Sequence, residues 1–404
     1  MNHITANAAQ IFLSLTVILI ACKACGFIIK CFGQPPVIGE MVAGVLLGPS
    51  LLGAVAPDLF HALFPADSRP VLYAIAQIGL TLYMFVVGIE FRSDLLKTNL
   101  RTAAGVSIAG ILVPFTLGSI LAWWFLRMGG FFAPATPLSM AILFIGAAMS
   151  ITAFPMLARI ILEHGLTGTR AGTIALAAGS LDDAIAWILL AGVLGGISGK
   201  PMLFIAALGG GIIYILICML VIRPLLRRLN SAWNDDVGML GLIAVLLCVG
   251  GWVTDSIGLY SVFGAFILGL AIPRGSLADK TAERIGPLTT ALLLPVFFTY
   301  SGLNTKIGLL NSPALWLICG LIILAAIVGK LFACYAAGRL SGESHRDSLT
   351  IATLMNARGL MELILLNIGL QAGLITHTLF TLFVLMAVVT TLMAAPGFNA
   401  AKRL

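Results

Sequence analysis

Charge is what this sequence has least of. Only 10% of its 404 residues are Asp, Glu, Lys or Arg, against about a quarter in a soluble globular chain. Its five histidines are scattered, and the Cys22-x-x-Cys25 pair has no second pair at zinc spacing among the seven cysteines, so no metal centre is expected. Nothing in the chain reads as a strand followed by GxGxxG or as a phosphate loop, so no cofactor is expected either. A net charge of +7 would suggest nucleic acid in a soluble protein. Here the basic residues sit in short loops between apolar runs, and no nucleic-acid partner is expected.

Apolar sequence is abundant. Hydrophobic residues make up 60% of the chain and the mean hydropathy is +1.09. The expected class is an all-α polytopic membrane protein embedded in the lipid bilayer. Thirteen transmembrane helices are expected, at about 8–29, 35–53, 70–90, 102–126, 137–160, 171–195, 202–222, 237–254, 257–273, 286–303, 313–338, 347–371 and 376–396. Basic residues test that count. Sixteen, Arg92 and Lys97 among them, follow odd-numbered runs or lie in the C-terminal tail; only Arg69, Arg127, Lys200 and Lys306 follow even-numbered ones. The positive-inside rule then puts the N-terminus outside and the C-terminus in the cytoplasm, in a plasma (inner) membrane.

A weak internal repeat runs through the chain. AGVLLGP (43–49) resembles GAFILGLAIP (264–273), and YMFVVGIEFRSDLL (83–96) resembles FFTYSGLNTKIGLL (297–310). The offset is seven runs, an odd number, so the partners cross the membrane in opposite directions. Repeat 1 is placed at about 8–195, a linker helix at 202–222 and repeat 2 at 237–396. Runs 5 and 12 correspond, and both carry helix-breaking features. Run 5 has Pro155, with Ser150 and Thr152 offering hydroxyls; run 12 has Asn356, Arg358 and Gly359. Arg358 and Glu362, four residues apart, share a helix face and are expected to pair as a supporting ion pair.

The candidate site lies in run 6, where Asp182 and Asp183 interrupt AGTIALAAGSLDDAIAWILLAG (171–192). A charge at bilayer depth costs about 2.5–3.5 kcal/mol on insertion scales, and such residues usually mark an ion or proton pathway. Adjacent residues point about 100° apart around a helix. One carboxylate can therefore face a neighbouring helix while the other faces a cavity. Lys330, well inside run 11, is the candidate partner of Asp182; Asp183 would exchange a proton for a desolvated monovalent cation.

QPPVIGEMVAGVLLGPS (34–50), SITAFPMLARIILE (150–163), GSLDDAIAWILLA (179–191), VFGAFILGLAIP (262–273), LPVFFTYSGLNT (294–305) and NARGLMELILLNIG (356–369) together resemble the monovalent cation/proton antiporter-2 family. The likeness is nearest to the membrane domain of the plant-type cation/proton exchangers and their bacterial relatives. It implies a thirteen-helix fold of inverted-topology repeats in which two discontinuous helices, runs 5 and 12, cross. A core subdomain around runs 5, 6, 11 and 12 would move like an elevator against a dimerisation subdomain formed by the other runs, in a homodimer. It implies Asp183 as the ion-binding carboxylate, Asp182 paired with Lys330, and Thr152 contributing beside the unwound region. Having both aspartates and the lysine, the chain is expected to be electrogenic. It ends about eight residues after its last run, so no appended regulatory domain is expected.

The expected function is secondary active antiport of Na⁺ or K⁺ against H⁺, with no enzymatic activity. A sodium-coupled symporter of an organic anion on a related fold predicts a polar binding crevice, of which the sequence shows little. A channel-like or sensory membrane protein predicts passive conductance unaffected by a pH gradient.

Overall fold

The computed structural model describes residues 2–34, 36–90, 100–134, 136–166, 168–197, 201–232, 236–257 and 259–403. Arg92, Lys97 and Lys200, three of the basic loop positions, lie outside them. Among the described residues the regular structure is helical, with one isolated antiparallel bridge between Phe132 and Ile375. Ten described helices are long and apolar enough to cross a bilayer. In runs 5, 9 and 12 the apolar helices are shorter: Leu138–Ser150, Ser261–Ala271 and Met361–Gln371. At 1.5 Å per residue none of the three covers a hydrocarbon core of about 30 Å alone.

Run 5 is short because it breaks. Leu138–Ser150 ends, residues 151–153 are non-helical, and Phe154–Glu163 begins. Proline is tolerated in the first turn of a helix but breaks a helix interior. The break therefore falls before the proline. Pro155 lies in the first turn of the second half-helix, where a missing N–H costs nothing, and not among the unwound residues. Run 12 breaks the same way: His345–Met355 ends, 356–359 are non-helical, and Leu360–Gln371 follows.

The chain forms two compact units. One comprises Met1–Leu19, Phe64–Arg92 and Leu194–Tyr300. Its core gathers Phe85, Leu226, Ile243, Leu268 and Leu277. There the Arg69–Glu90 helix packs on Ser261–Ala271 so closely that a Cβ on Gly88 would meet the carbonyl of Phe266 and the Cα of Gly269. Within a bilayer, close approach of small residues is what holds helices together, since lipid tails are as apolar as leucine.

The second unit comprises Ile20–Leu63, Ser93–Val193 and Ser301–Leu404. Its core joins Ala103, Val106, Leu157, Ala178, Cys334 and Met355. Two of its long helices carry buried charge: the aspartate helix, Arg170–Ile197, and the lysine helix, Pro313–Leu340. The aspartate helix is the most deeply buried of the ten long ones. Alanine and glycine around its carboxylates let other helices crowd in. The lysine helix packs on Leu100–Met128, where Gly110 leaves room for Lys330 and Cys334.

Candidate functional site: a buried acidic pair between two broken helices

All the sequence-predicted site residues fall in the second unit, and the two breaks bring most of them together. The backbone N–H of Ala153, in the first break, donates to the carbonyl of Ala357, in the second, at 3.0 Å. Gly359 permits this. Its φ of 151° is open only to glycine, and a Cβ there would press on Met156.

The last carbonyls of a helix have no partner within it and carry the negative end of its dipole. At the end of Leu138–Ser150, two buried cations meet them. Arg358 donates from Nη1 to the Ala148 carbonyl at 2.8 Å and from Nη2 to that of Met149. Lys330 Nζ donates to the Ser150 carbonyl at 2.7 Å. The hydroxyl of Ser150 points elsewhere, donating to the carbonyls of Gly146 and Ile111.

The two aspartates differ sharply in surroundings. Asp182 Oδ2 accepts from Lys330 Nζ at 2.9 Å and from the Thr152 hydroxyl at 2.6 Å. Asp182 Oδ1 accepts from the Ser107 hydroxyl at 2.6 Å. Asp183 is equally buried, at 1% exposure, yet neither of its oxygens reaches a hydrogen-bond partner. It faces the start of Phe154–Glu163, near the backbone N–H of Phe154 but without closing a hydrogen bond to it. Thr152 thus serves Asp182, not Asp183.

Arg358 also lies 3.7 Å from Glu362, which sits in the first turn of Leu360–Gln371, the positive end of that half-helix. Both Glu362 oxygens and the Asn356 Oδ1 are buried without hydrogen-bond partners. Another pair lies elsewhere: Glu343 is buried, its side chain 1% exposed, and takes Arg170 in a two-pronged bridge at 2.7 and 2.8 Å.

Charge bookkeeping isolates one group. Among the described buried side chains around the breaks there are three carboxylates, Asp182, Asp183 and Glu362, and two cations, Lys330 and Arg358. Lys330 answers Asp182 and Arg358 answers Glu362. Among these residues Asp183 has no cationic counterpart. An isolated buried carboxylate is costly enough that it must take a proton or a cation.

Sequence reasoning missed Ser107. Its only signal is a hydroxyl among small residues in GVSIAG (105–110), and serine is tolerated in many transmembrane helices for other reasons.

Residues 14–400 match the family model described as sodium/hydrogen exchanger, transmembrane. A Synechocystis protein, Na⁺/H⁺ antiporter NhaS4, is 40% identical over 399 residues, covering 97% of this chain and 97% of its own. Cation/H⁺ antiporter 15 of Arabidopsis thaliana is 34% identical over 401 residues; these are 98% of this chain, which spans about half, 48%, of the plant protein. Among solved structures, the sodium/proton antiporter MjNhaP1 of Methanocaldococcus jannaschii superposes with a TM-score of 0.70 over 98% of this chain and 99% of that one, at 18% identity. Both named relatives are transporters, not enzymes.

Proposed function

Because the chain belongs to the sodium/hydrogen exchanger family, we propose that it is a secondary active antiporter exchanging Na⁺ or K⁺ for H⁺, with Asp183 as the group that carries either ion. The observation that carries this reading is the unmatched charge of Asp183 beside a fully donated Asp182. A buried carboxylate with no fixed counter-charge holds one cation at a time, and H⁺ and an alkali ion compete for it. That competition is what antiport needs. Carriage across the membrane then requires Asp183 to be reached from one side at a time, since at 1% exposure it meets no open water in this structure.

The architecture we assign is thirteen spans in two inverted repeats, with the two broken helices crossing at 151–153 and 356–359. A pair of glycine contacts supports it. Aligning the repeat stretches places Gly48 on Gly269 and Gly302 on Gly88. A Cβ on Gly48 would strike the Gly302 carbonyl in one unit, and a Cβ on Gly269 would strike the Phe85 carbonyl beside Gly88 in the other. The same pair of aligned glycines thus approaches closely in both units, as a pseudo-twofold axis in the membrane plane would have it.

In this reading the core around runs 5, 6, 11 and 12 moves as an elevator in a homodimer. The N-terminus lies outside and the C-terminus in the cytoplasm. Exchange is electrogenic because Lys330 gives up a second proton when a cation takes its place on Asp182. The test is cation-induced dequenching of a pH-gradient dye in everted vesicles. Wild type is expected to respond to Na⁺ or K⁺, and Asp183→Asn is not. Equal responses would remove Asp183 from the mechanism.

A further inference from the structure

A cavity of about 740 Å³ lies in the unit Met1–Leu19, Phe64–Arg92 and Leu194–Tyr300, and none of its described lining residues belongs to the site around Asp183. Its polar lining is Arg223, Arg227, Asn230, Arg274 and Ser276, with no carboxylate among the described lining residues. Local sequence builds this concentration of charge. Arg223, Arg227 and Asn230 recur at i, i+4 and i+7, one face of the helix Arg223–Ala232. Along the adjoining face Leu226 and Leu229 enter the core with Met239 and Leu277. Arg274 comes from a turn that Gly275 makes possible, with φ of 107°. Ser276 opens the thirteen-residue helix Ser276–Leu288, so its first backbone N–H groups and its positive dipole end lie at the same cavity. A smaller adjoining hollow, lined by Asn230, Lys280, Thr281 and Arg284, extends the positive field.

Three guanidinium groups converge on one cavity. Arginine's planar fork matches the oxygens of a phosphate two at a time. We infer that this cavity is a binding site for a phosphate-bearing anion, the chemistry shared by an anionic phospholipid headgroup and free phosphate. Leu220, also in the lining, is 70% exposed and offers an apolar wall against which an acyl chain can lie. Arginine pockets between membrane helices take lipid headgroups by this combination.

The test uses the full chain purified in a neutral detergent, as wild type and as Arg223→Gln/Arg227→Gln/Arg274→Gln. Each is titrated with phosphatidylglycerol, with phosphatidylcholine and with inorganic phosphate, followed by native mass spectrometry and by the shift in melting midpoint. Wild type is expected to retain phosphatidylglycerol over phosphatidylcholine, and the triple variant to bind it at least about tenfold more weakly. A response to inorganic phosphate as well would show that the headgroup chemistry alone suffices. Should the triple variant not fold, Arg227→Gln alone is expected to weaken binding about threefold. Equal binding by wild type and variant, or no preference for phosphatidylglycerol together with no response to phosphate, overturns the site.

Discussion

Replacing Lys330 by Met would leave Asp182 charged, with only the Ser107 and Thr152 hydroxyls to answer it. Removing one partner of a buried ion pair costs about 3–5 kcal/mol, mostly through the charge left behind. The melting midpoint in detergent is expected to fall steeply for Lys330→Met and to recover largely in Asp182→Asn/Lys330→Met, a coupling that contacting residues should display. Ser107→Ala is milder: it removes one hydrogen bond to a charged acceptor, worth about 1.5–3 kcal/mol. Asp183 is predicted to reveal itself through pH. If H⁺ and the cation compete for one carboxylate, the apparent KM for the cation rises about tenfold for each unit of pH lost once Asp183 is protonated. Vesicle assays at several pH values read this directly, and a KM indifferent to acid would argue against competition at one site. The charged members of this site are legible in the sequence because charge is so scarce in the apolar runs. Ser107 is not, since nothing local says that its helix will bring a hydroxyl to Asp182.

Helix breaks carry the next level of the design. Two half-helices end where residues 151–153 meet 356–359, and the terminal carbonyls of Leu138–Ser150 are held by Arg358 and Lys330. Gly359→Ala forces a Cβ into a φ of 151° and onto Met156. Backbone strain of this kind costs about 1–3 kcal/mol, and displacing the contact between the two breaks should also abolish exchange. Arg358→Lys is expected to fail too. A single ammonium cannot reproduce the forked contacts to Ala148 and Met149 while staying beside Glu362. Melting midpoints separate these effects from simple misfolding, since Gly359→Ala should remain folded at reduced temperature. Proline and glycine announce both breaks in the sequence, but they do not locate them. Proline is tolerated in the first turn of a helix and not in its interior, so the unwound residues precede Pro155. The long helices are visible as hydrophobic runs; the shortness of Ser261–Ala271 is not, because the apolar residues Ile257, Leu259 and Tyr260 already precede the helix start.

For the molecule as a whole, net charge decides how exchange couples to membrane potential. With Asp183 protonated and Lys330 charged, the five buried ionisable groups around the breaks sum to zero: Asp182 and Glu362 against Lys330 and Arg358. If a bound cation displaces Lys330 from Asp182 and the lysine leaves as a neutral amine, three carboxylates face one arginine and one alkali ion. That loaded site carries one negative charge. The two loaded forms then differ by one charge, and each cycle moves one charge across the membrane, worth about 2.3 kcal/mol per 100 mV. Lys330→Gln removes the second proton but keeps a donor for Asp182, so its two loaded forms carry the same charge. On solid-supported membranes, wild type is therefore expected to give a transient current on a cation jump. Lys330→Gln should still exchange ions in the dye assay yet give no current. Wild-type exchange without current would mean that Lys330 keeps its proton throughout, fixing the exchange at one H⁺ per cation.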